Sequence, residues 1–181
     1  MLADGHCGFG AVAHCLGRGQ YLFIAVQQQI YQEIQKRREF YKRDPAVDNL
    51  EEVESALIVT STQPCGESKW MSMPSMAAAI ANAFETPLFF FSTSYSHTAF
   101  PHFCAPNNKP PIIIALIGIL RNFVVLQMKK PTLFPAPQPL RNRLWQSLSS
   151  NEALDWPQRY VGCFQMMEDA TNQNSVVVDL T

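Results

Sequence analysis

The chain has 181 residues, of which 47% are hydrophobic and 16% charged, and its 14 Lys plus Arg against 15 Asp plus Glu give a formal net charge of −1. That length suits about one domain, and the apolar content is enough to offset chain ordering, which excludes an intrinsically disordered protein. The near-neutral balance argues against a nucleic-acid partner: the cations are scattered, and short runs such as Lys36-Arg37-Arg38 and Lys129-Lys130 read as solvated faces.

The first segment, Cys7 to Leu16, has Phe9, Val12, Ala13 and Leu16 at helical spacing, with Gly17 and Gly19 to stop it. A longer helix is expected from about Leu22 to Lys42, ended by Asp44-Pro45, and a weaker one from Asn49 to Ile58. Thr60 to Glu67 reads as a loop. Ser72-Met73-Pro74 opens a small-residue helix running to about Phe84, and Leu88-Phe89-Phe90-Phe91 reads as a buried strand. A loop spans Ser92 to Pro111. Strands are expected at Ile112 to Leu116 and Asn122 to Met128, where continuous apolar runs suit a sheet covered on both faces. Pro131 to Pro139 is extended or irregular. Trp145 and Trp156, a strand at Tyr160 to Met166 and a polar tail ending in Val-Val-Val complete the chain. The order predicts an α+β layer fold, with helices packed on a small central β-sheet.

The longest apolar run, residues 112–120, is far short of the ~20 residues of a spanning helix, and the N-terminus has neither the basic nor the apolar region of a signal peptide. The five cysteines, Cys7, Cys15, Cys65, Cys104 and Cys163, form no CxxC. A reducing intracellular setting, cytoplasmic or nuclear, is the simplest reading. With only four histidines and no CxxC, a zinc site would have to be assembled from distant single ligands, and neither a metal nor another cofactor is expected.

The segment that carries chemistry is Asp4-Gly5-His6-Cys7-Gly8-Phe9. A thiol at a helix N-terminus faces unpaired N–H groups and the positive end of the helix dipole, which favour thiolate over thiol. The glycine turn before it can aim backbone amides at a carbonyl oxygen under attack. A buried structural cysteine at a helix start is the plainer alternative.

Asp-Gly-x-Cys-[Gly/Leu]-Phe opening a helix resembles the nucleophile motif of the OTU (ovarian tumour) cysteine proteases, which are deubiquitinases with a papain-like thiol mechanism. Further features agree in order: the Gly17-Arg18-Gly19-Gln20 helix exit, Trp70-Met71, the Met76 to Phe84 helix, Thr86-Pro87-Leu88, Phe100-Pro101 and Pro111-Ile112-Ile113-Ile114. The proline-rich run ending near Trp145 is similar to OTU-like segments of mobile genetic elements. The resemblance covers roughly Asp4 to Trp145. It implies an OTU-like domain over residues 1–145, lacking the N-terminal segment that packs beneath the motif, and a partly ordered C-terminal extension over 146–181.

The resemblance also implies roles. Cys7 is the nucleophile, and the Asp4, Gly5, His6 and Cys7 backbone shapes the oxyanion hole. The family's base is a histidine before an aromatic residue at the start of the last core strand. Phe123 fits that aromatic, but Asn122 occupies the base position. A carboxamide accepts no proton near neutral pH, so it cannot activate the thiol or protonate a leaving amine. His6 adjoins Cys7 and should point away from it. His14 lies seven residues, about 10 Å, along the helix. His97 and His102 sit in the long loop. Gly10 stands where relatives carry a larger residue. The expected partner is ubiquitin or a ubiquitin-like protein. The expected activity is impaired isopeptide hydrolysis, with a non-hydrolysing ubiquitin-binding module or a decayed transposon-derived remnant as alternatives. Trp70, Met76, Phe100 and Trp145 are expected in the core.

Overall fold

The computed structural model describes residues 4–59, 61–118, 121–138 and 142–176. The N-terminal half is helical: α1 (Cys7–Cys15), α2 (Phe23–Lys36), α3 (Arg38–Tyr41), α4 (Leu50–Leu57) and α5 (Ala77–Phe84). Four strands follow: β1 (Leu88–Phe91), β2 (His97–Ala99), β3 (Ile112–Ile117) and β4 (Asn122–Val125). Three more helices close the described chain, α6 (Asn142–Leu148), α7 (Trp156–Arg159) and α8 (Val161–Val176). The sheet order is β2-β1-β3-β4, with β1 and β3 parallel and the outer pairs antiparallel. The molecule is therefore α+β, built on one small mixed sheet.

Both faces of the sheet are covered, as the unbroken apolar strands require. Leu88 and Phe90 of β1 and Ile112 and Ile114 of β3 face a core completed by α1, α2, α4 and α5. Phe89 and Ile113 alternate to the opposite face, where Phe134, Trp145, Trp156, Tyr160 and Phe164 cover them.

Three local expectations are corrected. Tyr160 to Met166 is not a strand: Val161 onward is helical, and the buried Tyr160, Cys163 and Phe164 stand at i, i+3 and i+4, a helical period. The expected loop from Ser92 to Pro111 contains the short strand β2, whose His-Thr-Ala sequence has no apolar alternation to announce it. The long helix ending at Lys42 is interrupted at Arg37, where φ is −129°. Beyond that break, the Tyr41 hydroxyl reaches back eight residues and donates to Glu33 Oε1 at 3.0 Å. The final valines after Val176 lie outside the described residues, as does Pro139.

Tyr41 belongs to a buried polar chain. Arg37 pairs with Glu33, and the Asn82 amide donates to the Tyr41 hydroxyl at 2.8 Å. Asn82 Oδ1 accepts the His102 backbone N–H at 2.7 Å. Burial, and then the Glu33 charge, push the Tyr41 phenol pKa upward, so it remains a donor. Tyr41→Phe should lower unfolding free energy by about 1–3 kcal/mol, because it strands two buried polar partners. Urea denaturation at neutral pH measures this.

Candidate functional site

Cys7 is the first residue of α1 and is 9% exposed. Helical geometry leaves the N–H groups of Cys7, Gly8 and Phe9 without intrahelical acceptors, and the Gly10 N–H bonds the His6 carbonyl at 2.9 Å. The helix start is pressed against β4. A Cβ at Gly8 would lie 2.7 Å from Met71 Cβ and 3.1 Å from Phe123 Cδ2, so only glycine permits this approach.

The turn before Cys7 is fixed by three bonds. The His6 N–H donates to Asp4 Oδ1 at 2.9 Å, the Cys65 N–H to the Asp4 carbonyl at 2.9 Å, and Trp70 Nε1–H to the Cys65 carbonyl at 3.2 Å. Gly5 has a φ of +85°, and a Cβ there would meet Cys65 O and Sγ at 2.6 Å and Trp70 Nε1 at 2.7 Å. Trp70, expected in the core, is half-buried and braces this turn. Cys65 was not singled out by sequence reasoning. No motif marks it, and the chain brings it to the turn from a loop 58 residues beyond Cys7.

His6 is committed away from Cys7. Its ring stacks on Phe23 at 4.3 Å, and Nε2 lies 3.0 Å from the Gln63 carbonyl. A carbonyl only accepts, so Nε2 carries the hydrogen and Nδ1 is an acceptor. The group facing Nδ1 is the Cys65 thiol at 3.7 Å. Burial, followed by the Asp4 charge, raises the Cys65 pKa, so this thiol–imidazole contact holds a neutral S–H donor.

A shallow depression of about 20 Å³ opens at the thiol, walled by Asp4, His6, Cys7, Gly10, Gln20, Tyr21 and Phe23. That is space for a single water-sized atom group. Beside it Tyr21 and Leu22 are 73% and 51% exposed.

The structure thus brings Asp4, Gly5, His6 and Cys7 together. Asn122 is half-buried at the head of β4, paired with Ile117, one residue from the Phe123 that packs at Gly8. It is not among the walls of the depression. His14 is exposed on α1. His97 and His102 are buried beside β2, at the sheet edge opposite β4, and burial lowers the pKa of each to about 4.

All five cysteines are free thiols. Among the described residues no cluster of three or more His, Cys, Asp or Glu is arranged to hold a metal ion. No described helix is long and apolar enough to cross a membrane. No family model matches the chain, and no curated protein matches it.

Gly5→Ala should cost roughly 2 kcal/mol or more, combining the left-handed φ with overpacking, and should slow modification of Cys7. Urea denaturation and site-resolved iodoacetamide labelling check both. The buried histidines set a pH dependence. The unfolded chain takes up protons at the ordinary value of 6.5 and the folded chain only near 4. Their contribution is therefore complete above the unfolded pKa and is lost as pH falls from about 6.5 towards 4, by about 2 kcal/mol each between pH 7 and 5. The urea midpoint should fall over that interval, and His102→Gln should flatten the fall.

Proposed function

We propose that this chain is an OTU-like, papain-like cysteine deubiquitinase domain, and that its isopeptide hydrolysis is impaired because Asn122 takes the place of the base histidine. The observation that carries the reading is a thiol heading a buried helix behind a left-handed glycine, on the strand that begins Asn122-Phe123. In the reaction, the Cys7 thiol gives up its proton to solvent water, for want of a side-chain base; Sγ then bonds the carbonyl carbon of the ubiquitin C-terminus and the carbonyl π electrons move to oxygen. Of the Asp4 to Cys7 backbone assigned to the oxyanion hole, the Cys7 N–H at the helix start is suited to that oxyanion, whereas the His6 N–H is taken by Asp4 Oδ1. Collapse then expels the lysine amine, which needs a proton, and water must later cleave the thioester.

The difficulty lies in the proton transfers. The His6 ring is engaged by Gln63 and Cys65, and its backbone N–H is held by Asp4 Oδ1. Asn122 accepts no proton. Capture of an electrophile is retained and turnover is poor. The exposed Tyr21 and Leu22 beside the thiol suit an extended, partly apolar C-terminal tail, as ubiquitin has. The same unavailability of His6 favours a second reading, a ubiquitin-binding module with no hydrolysis at all. Free thiols fit a cytoplasmic or nuclear location.

Ubiquitin carrying a C-terminal electrophile should label the wild type and not Cys7→Ala, while a fluorogenic ubiquitin amide is hydrolysed at trace rate. Asn122→His should raise that rate at least about tenfold, part of the ~10²–10⁴ a general base supplies. Failure of the folded wild type to label contradicts the family assignment. Efficient wild-type hydrolysis contradicts the missing base.

A further inference from the structure

A cavity of about 280 Å³ lies remote from Cys7, at the β2 edge, between the turn after α3, the start of α5 and helix α6. Cys7 lies at the other side of the sheet, where α1 meets β4. The volume is just below the ~300–1,000 Å³ of ordinary small-molecule sites, and the form is the usual one: apolar walls with a few polar groups.

Phe100, Trp145 and Leu148 supply apolar wall. The Trp145 indole is fixed by its N–H, which donates to the Phe100 carbonyl at 3.2 Å. His102 is fixed as well: Nδ1 lies 3.0 Å from Ser149 Oγ, and its ring meets Phe40 edge-on at 4.8 Å. These walls are preorganised.

Two polar groups are not satisfied by the protein. His97, 9% exposed, lines the cavity, and its Nδ1 has no hydrogen-bond partner among the described residues. A buried ring nitrogen without a partner carries an unmet free-energy cost. Asp44 also lines the cavity. Its Oδ1 accepts the Ala46 N–H at 2.9 Å, and Oδ2 has no partner among the described residues. Burial raises the Asp44 pKa, as expected of a carboxylate with no cation beside it. Apart from the two neutral histidines, Asp44 is the one ionisable side chain among the described residues lining this space.

We infer that this cavity is a binding site for a small organic cation, a compact apolar skeleton bearing one protonated nitrogen, with Asp44 as its counter-ion and the His97 ring as part of its wall. Charge complementarity selects the cation, and the aromatic and aliphatic walls select the skeleton. The inference does not depend on the reactivity of Cys7.

Calorimetry on the full chain at pH 7.5 with three probes of one shape tests it: phenethylammonium, 2-phenylethanol and 3-phenylpropionate. Phenethylammonium should bind with a Kd at least tenfold below that of the alcohol, and the carboxylate should be weakest. Asp44→Asn should reduce the ammonium to the affinity of the alcohol while leaving the alcohol's affinity within about twofold. Nitrogen-15 imidazole spectra should show the His97 resonance moving with the ammonium in the wild type. No binding of any probe, equal affinities for ammonium and alcohol, or a cation preference that survives in folded Asp44→Asn would each overturn the assignment.

Discussion

The approach of Gly5 to the Cys65–Trp70 loop is the constraint on which the candidate site depends. Gly5 leaves no space for a side chain and turns the backbone into the left-handed region. That turn delivers Cys7 to the head of α1, and the Asp4–Cys65 and Trp70–Cys65 bonds hold it there. A second close approach, Gly8 against Met71 and Phe123, seats the helix on β4. Two glycines three residues apart thus decide where the sulfur stands and which strand it faces. Helix-terminal amides then act on it without any charged side chain.

The rest of the chain has a different organising element. Glu33, Tyr41, Asn82 and His102 form a polar chain that ties α2, α3 and α5 to the loop leading into β3. Ser149 at the end of α6 extends it through His102. This chain fixes His102 as a neutral structural group at the β2 edge, which removes it as a base for Cys7. The same fixing shapes the cavity wall. One set of hydrogen bonds therefore accounts for an imidazole withheld from the thiol and for a rigid pocket on the other side of the molecule.

Much of this was legible in the residues. Gly17 and Gly19 ended α1, the continuous apolar runs gave β1 and β3, and Asp4 to Cys7 announced a thiol at the head of a helix. Less legible were features set by tertiary packing. The strand β2 is three residues long and two of them, His97 and Thr98, are polar, so nothing local separates it from a loop. Tyr160, Cys163 and Phe164 carry a helical period that β-rich composition obscures. Across the break at Arg37, Tyr41 meets Glu33, a contact between residues eight apart. Cys65 and Trp70 reach the turn from a distant loop, and His6 turns its ring to Phe23 and Gln63 rather than to its neighbour. None of those pairings leaves a periodic signal.

A thiol placed by backbone packing should keep its reactivity when the neighbouring imidazole is removed. The direct measurement is the rate of Cys7 alkylation by iodoacetamide at pH 7.5, resolved by site with mass spectrometry. The account predicts the same rate in the wild type and His6→Gln and a slower one in Gly5→Ala. A rate that collapses in folded His6→Gln would show an imidazole coupled to the sulfur and would contradict it.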